Sequence, residues 1–117
     1  MSGYYKTSSG KVVELEEQNE LNLYFKNIVE LIIPDGCKIV NCIDNKLKEL
    51  ILPDGCEIVD CAYNQLKELI IPDGCEIVWC ENNQLTKLII PDGCKYVQAD
   101  MKSITELNKV DSLRFYI

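Results

Sequence analysis

The sequence predicts a mainly β solenoid of 19-residue coils, with a parallel strand on one face and a short strand or extended segment on the return side. Three observations predict it. Pro-Asp-Gly-Cys begins at Pro34, Pro53, Pro72 and Pro91, each 19 residues after the last. The residues between these tetrapeptides repeat as well: Cys56, Val59, Cys61, Asn64, Leu66, Leu69 and Ile71 are matched by Cys75, Val78, Cys80, Asn83, Leu85, Leu88 and Ile90. Within each unit, apolar and polar residues alternate, as in Val59-Asp60-Cys61 and Leu69-Ile70-Ile71, which is strand patterning. One such strand cannot bury its inward side chains alone. Stacking the units about 4.8 Å apart places like residues over like residues and builds a shared core.

Taken in chain order, residues 1–20 read as an N-terminal tail and cap hairpin, with residues 1–9 expected to be mobile. In the hairpin, Lys11 to Glu16 would fold over a turn at Gln18-Asn19 onto Leu21 to Tyr24. The repeats fill residues 21–109. A partial first unit runs through Leu21, Leu23, Lys26, Ile28, Leu31 and Ile33. The first full unit carries Cys37, Val40, Cys42, Asn45, Leu47, Leu50 and Leu52. A degenerate last unit carries Cys94, Val97, Ala99, Lys102, Ile104 and Leu107. Residues 110–117, with Val110, Leu113 and Phe115, read as a C-terminal capping strand. The whole chain is then a single solenoid domain. At each coil Pro and Gly mark a turn, Pro by presetting φ and Gly by accepting positive φ.

The unit Cys56-x-x-Val59-x-Cys61-x-x-Asn64-x-Leu66 resembles the leucine-rich repeat, whose pattern runs L-x-x-L-x-L-x-x-N-x-L. The trailing Leu69-x-Ile71-Pro72 is similar to the short repeats of bacterial effector proteins and of some giant-virus proteins. Here the period is one residue below the usual range, and Cys stands where Leu is preferred. The resemblance spans residues 21–109. It implies that the principal strands line a concave face and that this face binds partners.

Asn45, Asn64 and Asn83 are expected to point inward as a structural ladder, each amide donating to one neighbouring coil and accepting from another. Lys26 and Lys102 hold the equivalent end positions. A lysine suits an exposed end, which points to an array with both ends present. The seven cysteines fall on two ladders: Cys37, Cys56, Cys75 and Cys94, and Cys42, Cys61 and Cys80. A metal site needs closely spaced pairs converging on one point. Here each pair is Cys-x4-Cys and the ladders spread along the stack. The count is odd and no signal peptide is visible, which disfavours a disulfide framework. Small buried apolar side chains are the better reading. Asp35, Asp54, Asp73 and Asp92 offer one carboxylate per turn, which suits turn capping better than calcium. No metal or other cofactor is expected.

The formal charge is −7, from 19 acidic and 12 basic residues, with Arg114 the single arginine. That disfavours direct nucleic-acid binding, which depends on neutralising phosphates. Histidine is absent, which removes the commonest general base. No apolar run approaches the ~20 residues of a membrane helix. The expected setting is cytoplasmic and reducing.

With the core fixed, function falls to the outward positions of the principal strands. The ladder Asn41, Asp60, Trp79 and Gln98 is followed by Ile43, Ala62, Glu81 and Asp100, and then by Asp44, Tyr63, Asn82 and Met101. These vary between repeats while the core hardly changes. Trp79 and its neighbours Tyr63 and Tyr96 can supply anchor area, within an acidic rim of Asp60, Glu81, Asp100, Glu57 and Glu76. The expectation is a non-catalytic interaction module for a basic protein partner, itself a monomer or weak homodimer. A small acidic inhibitor that occludes a nucleic-acid-binding enzyme is one alternative. A self-assembling structural repeat is another. Two apolar outward ladders, Ile39, Ile58, Ile77 and Tyr96, and Ile32, Ile51, Ile70 and Ile89, fit either cross-strand packing or a surface awaiting a partner.

Overall fold

The computed structural model describes residues 3–108 and 114–116. It is a β-solenoid of about five turns of ~19 residues. One parallel sheet runs through it: β3 (Glu20–Asn22), β5 (Ile39–Asn41), β6 (Ile58–Asp60), β8 (Ile77–Trp79), β10 (Tyr96–Gln98) and β12 (Arg114–Tyr116), each paired with the next. Register is in phase with the repeat: Val40 pairs with Val59, Val59 with Val78 and Val78 with Val97. A slip of one residue would turn each valine outward. Instead β5, β6, β8 and β10 each bury their central valine and half-bury its flanking residues.

The return side carries β7 (Glu68–Ile70), β9 (Lys87–Ile89) and β11 (Glu106–Leu107), also parallel. Between the two sheets lie ladders of Cys, Val, Leu and Ile, almost wholly buried. A 3-10 turn at Met101–Ser103 closes the degenerate last coil, and Ser103 Oγ donates to the Leu85 carbonyl. Val110 and Leu113 of the expected capping strand lie outside the described residues. Arg114–Tyr116 pairs in parallel with β10.

Each coil turns at Pro-Asp-Gly-Cys. At Cys56, Cys75 and Cys94 the cysteine N–H donates to the proline carbonyl three residues earlier, at 3.2–3.4 Å. The glycines have φ between 82° and 88°, and a Cβ on any of them would meet nothing within 4 Å. Glycine is there for its left-handed backbone, not for space.

The N-terminus departs from expectation. Residues 3–9 are not a loose tail, and the hairpin does not turn at Gln18-Asn19. β1 (Gly3–Thr7) and β2 (Val12–Leu15) form an antiparallel hairpin, and β1 also pairs antiparallel with β4 (Ile28–Ile32). Leu21 pairs in parallel with Val40, as a core position of the first coil. The reason is in/out alternation: Leu21-x-Leu23 repeats the spacing of Val40-x-Cys42, so stacking on the next coil buries both leucines. Gly3 allows β1 to lie close to β4, since a Cβ there would collide with the Ile32 carbonyl. In the second coil, residues 49–52 pair with neither β4 nor β7.

The coils are joined at the bend after each principal strand. Asn64 Nδ2 donates to Cys42 O of the preceding coil at 3.0 Å, and to Cys61 O and Ala62 O of its own. Its Oδ1 accepts the Leu47 N–H of that same preceding coil at 3.0 Å. Asn83 repeats the pattern with Cys61 O and Leu66 N. Asn45 repeats it with Leu23 O and accepts from both Lys26 and Ile28. Donor and acceptor thus serve one neighbouring coil, where the sequence suggested two. Asn64→Leu leaves these backbone groups buried without partners. It should destabilise the protein by about 1–3 kcal/mol, read as a shift of the chemical-denaturation midpoint. An unchanged midpoint would remove the asparagine ladder from the account of stability.

Candidate partner-binding face

The outward ladder of the principal sheet is set by strand register. Asn41, Asp60, Trp79 and Gln98 stand on successive coils, each opposite the next. Trp79 leans on Tyr96 of the following coil, with ring centroids 5.9 Å apart and planes at 56°. The Tyr96 hydroxyl lies 3.3 Å from Gln98 Oε1 and donates to it. The two rings and the amide form one half-buried cluster at mid-sheet.

Acidic groups border this cluster. Burial pushes the Asp60 carboxyl above its usual range, against a hydrogen bond from Ala62 N–H. Burial also raises Glu81, and the charges of Asp60 and Asp100 add to it. Among the residues whose side chains are described, no lysine lies within ion-pair distance of Asp60, Glu81 or Asp100. The ion pairs seen there are elsewhere, as in Lys95 with Glu76 at 3.8 Å on the open surface. Glu76 is therefore compensated, whereas Asp60 and Glu81 are partly desolvated and repelled.

The repeat supplies an internal comparison for Asp60. Asn41 Oδ1 accepts the Ile43 N–H, two residues on, at 3.2 Å. Asp60 makes the same turn bond at the same length. A neutral amide is sufficient to make the turn bond, and what the carboxylate gains from it is outweighed by its burial, since its pKa still lies above the usual range. Asp100 has a structural duty, accepting the Asn82 N–H at 2.6 Å. In earlier coils a backbone carbonyl does this, as Glu81 O does for Tyr63.

Two positions differ from the sequence expectation. Ala62 is buried, not outward, because the chain has already left the strand and begun to bend. Tyr63 is not part of the Trp79 ring pair. It sits at the bend itself, 53 % exposed, with φ of 57°. Phe25, Asp44 and Asn82 share that left-handed conformation at 19-residue intervals. Asp and Asn tolerate it, but a bulky aromatic there is an outlier costing about 1 kcal/mol. Phe25 is 71 % exposed, and its ring meets Tyr24 edge-on at 6.2 Å. Sequence reasoning missed Tyr24 and Phe25. The Phe25, Asp44, Tyr63, Asn82 spacing was the signal, since it mixes turn-formers with aromatics at one step of the coil.

On the other side, Ile51 and Ile70 are well exposed, while Ile32 and Ile89 are half-buried. A cleft of about 590 Å³ opens at the N-terminal end of this face, between β4 and the unpaired return segment. Asn108, also unforeseen, closes the far end by donating to and accepting from the Ile90 backbone.

All seven cysteines are buried and unbridged. The first ladder donates Sγ–H to backbone carbonyls, as Cys37 does to Ile39 O at 3.3 Å. In the second, burial pushes Cys42 and Cys80 up to about 12 and Cys61 well above the ordinary thiol range. Among the described residues no three of the Cys, Asp and Glu side chains converge as a metal site would require.

No family model, no curated protein and no solved structure matches the chain.

The raised thiols give a pH dependence whose sign is fixed. In the unfolded chain these groups ionise near 9, whereas folded Cys42 and Cys80 hold their protons to about 12. The folded state therefore binds more protons across that window, and stability falls as pH rises through it. The denaturation midpoint should drop steadily above pH 9, and less steeply in Cys42→Ala. A thiol-reactive dye at pH 8 should label the seven groups only on unfolding. Rapid labelling of Cys42, Cys61 or Cys80 in the native protein would contradict the burial.

Proposed function

We propose that this chain is a non-catalytic interaction module that binds a basic protein partner through the outward face of its principal sheet. The contact is centred on Trp79 and Tyr96, with Asn41, Asp60, Tyr63, Glu81, Gln98 and Asp100 around them. One observation carries the reading: Asp60 and Glu81 are partly desolvated carboxylates, without a basic neighbour among the described residues, beside an aromatic pair. Isolated, they repel one another. A lysine- or arginine-bearing surface would relieve that repulsion while the rings supply apolar area. The coils are read as leucine-rich-repeat-like, and the protein is placed in a reducing compartment, which the unbridged thiols favour.

Asp60→Asn tests the charge with little risk to the fold, since Asn41 already makes the same turn bond with an amide. The raised Asp60 carboxyl means that ionisation disfavours the folded state, so stability from this group is lost as pH rises through its folded pKa. At pH 7 the asparagine variant should be as stable as the parent or more so. Immobilised Asp60→Asn/Trp79→Ala protein should retain at least tenfold less basic protein from a cell extract than the parent. Parent binding should weaken with added salt and with acidification through the raised carboxyl range. Equal retention by the double variant would overturn the assignment.

A second reading, weak pairing of two copies through the return face, is favoured by Ile51 at 78 % and Ile70 at 57 % exposure. Sedimentation velocity at high concentration should then show a dimer that Ile70→Lys disperses. A strict monomer at every concentration would remove it.

A further inference from the structure

At the bend after β3, β5, β6 and β8 one residue per coil, at 19-residue intervals, takes positive φ: Phe25 at 55°, Asp44 at 58°, Tyr63 at 57° and Asn82 at 56°; after β10 a 3-10 turn at Met101 replaces it. Their backbones are stacked in order, with Phe25 N–H donating to Ile43 O, Asp44 to Ala62 O and Tyr63 to Glu81 O at 3.0–3.2 Å. All four therefore stand on one line along the solenoid, one coil apart. In two coils the chain uses Asp or Asn, which accept this conformation readily. In the other two it uses aromatics, which resist it. Neither aromatic recovers that disadvantage by burial, since both are more than half exposed. Among the described residues the Phe25 ring meets only that of Tyr24, itself half exposed, and the Tyr63 ring pairs with no other ring.

We infer that Phe25 and Tyr63 are the two walls of a clamp for an arginine side chain of the partner, with Asp44 between them as its counter-charge. Alternate coils place the aromatic Cα positions about 10 Å apart. A planar cation held between two rings needs roughly 3.5 Å on each side, within reach of two side chains free to lean inward. Guanidinium fits best because it stacks on aromatic faces and pairs in its own plane with a carboxylate. Asp44 is exposed and has no ion pair among the described residues. Tyr24, edge-on to Phe25, extends the outer wall. The exposed Lys26 and Lys46 flank the line, so a long basic stretch is disfavoured and a single inserted cation preferred. The clamp rests on the basic-partner reading above. It places a second contact at the bend, beyond the strand ends that carry Trp79.

The test is Phe25→Asn/Tyr63→Asn, which leaves the net charge unchanged. The probe is a blocked glycine-serine peptide carrying one central arginine, titrated calorimetrically at low salt, with lysine and glutamate versions as controls. The parent should prefer the arginine peptide, and the variant should bind it at least tenfold more weakly. The variant should also melt higher, because Asn suits the left-handed backbone at both positions. A merely structural role for the rings predicts the reverse, a lower Tm with binding intact. Unchanged arginine binding in this variant, with loss in Trp79→Ala, would overturn the clamp and leave the sheet face standing. Binding insensitive to both, or no binding by the parent, would overturn both. Asp44→Asn should weaken binding too, with the fold unaltered.

Discussion

The amide of Asn64 touches backbone groups of two coils at once: Cys42 O and Leu47 N on one, Cys61 O on its own. That junction is the constraint on which the other alignments depend. A bend buried beneath the surface exposes carbonyls and N–H groups that water cannot reach, and orphaning them is costly. One side chain carrying both a donor and an acceptor satisfies them only if the preceding coil lies directly beneath. Hydrophobic burial alone would tolerate a sliding stack, because Val, Leu and Cys ladders have little directional preference. The amide removes that freedom. Once the bends are locked, strand register follows, and with it the line of Asn41, Asp60, Trp79 and Gln98.

How much of this was legible depended on whether it repeated. The 19-residue interval, the inward asparagines and the buried thiols could be read because several coils carry the same residues in the same places. The N-terminal cap could not be read so easily. Its strand Gly3–Thr7 pairs with Ile28–Ile32, across a stretch of chain with no internal copy to compare. Gly-Tyr-Tyr-Lys-Thr, followed by Ser8-Ser9-Gly10 and Lys11-Val12-Val13, did carry a hairpin signal: two β-prone runs around a glycine turn. Treating it as a terminal tail hid that. Ala62 and Tyr63 were misplaced for a different reason. Period-two alternation was extended past the strand end, where the chain begins to bend: Ala62 turns inward there, while Tyr63 stays outward but away from the Trp79–Tyr96 pair.

A repeat also serves as its own control. At equivalent positions the backbone sets the same demand, so a departure from the residue that meets it best needs another cause. Asn41 makes the strand-end turn bond without a charge, while Asp60 makes the same bond and carries a carboxylate into partial burial. Asp44 and Asn82 fit the left-handed bend, while Phe25 and Tyr63 do not. Both departures expose or charge a side chain on one region of the molecule, the outward end of the principal strands. Core positions show almost none: Val40, Val59, Val78 and Val97 are identical and almost completely buried.

The two faces of the solenoid differ in the same sense. The principal sheet is continuous across six strands, from β3 to β12. The return side is split into two three-stranded sheets by a coil that pairs with neither. A continuous parallel ladder fixes its outward side chains relative to one another, which is the condition for several contacts to act on one partner without ordering losses at each. The split face lacks that rigidity and presents isoleucines, which pack without directional demand. Departures from the repeat therefore sit on the sheet best able to hold them in position, as at Asp60 and Trp79, or at the bends that directly follow its strands, as at Phe25 and Tyr63.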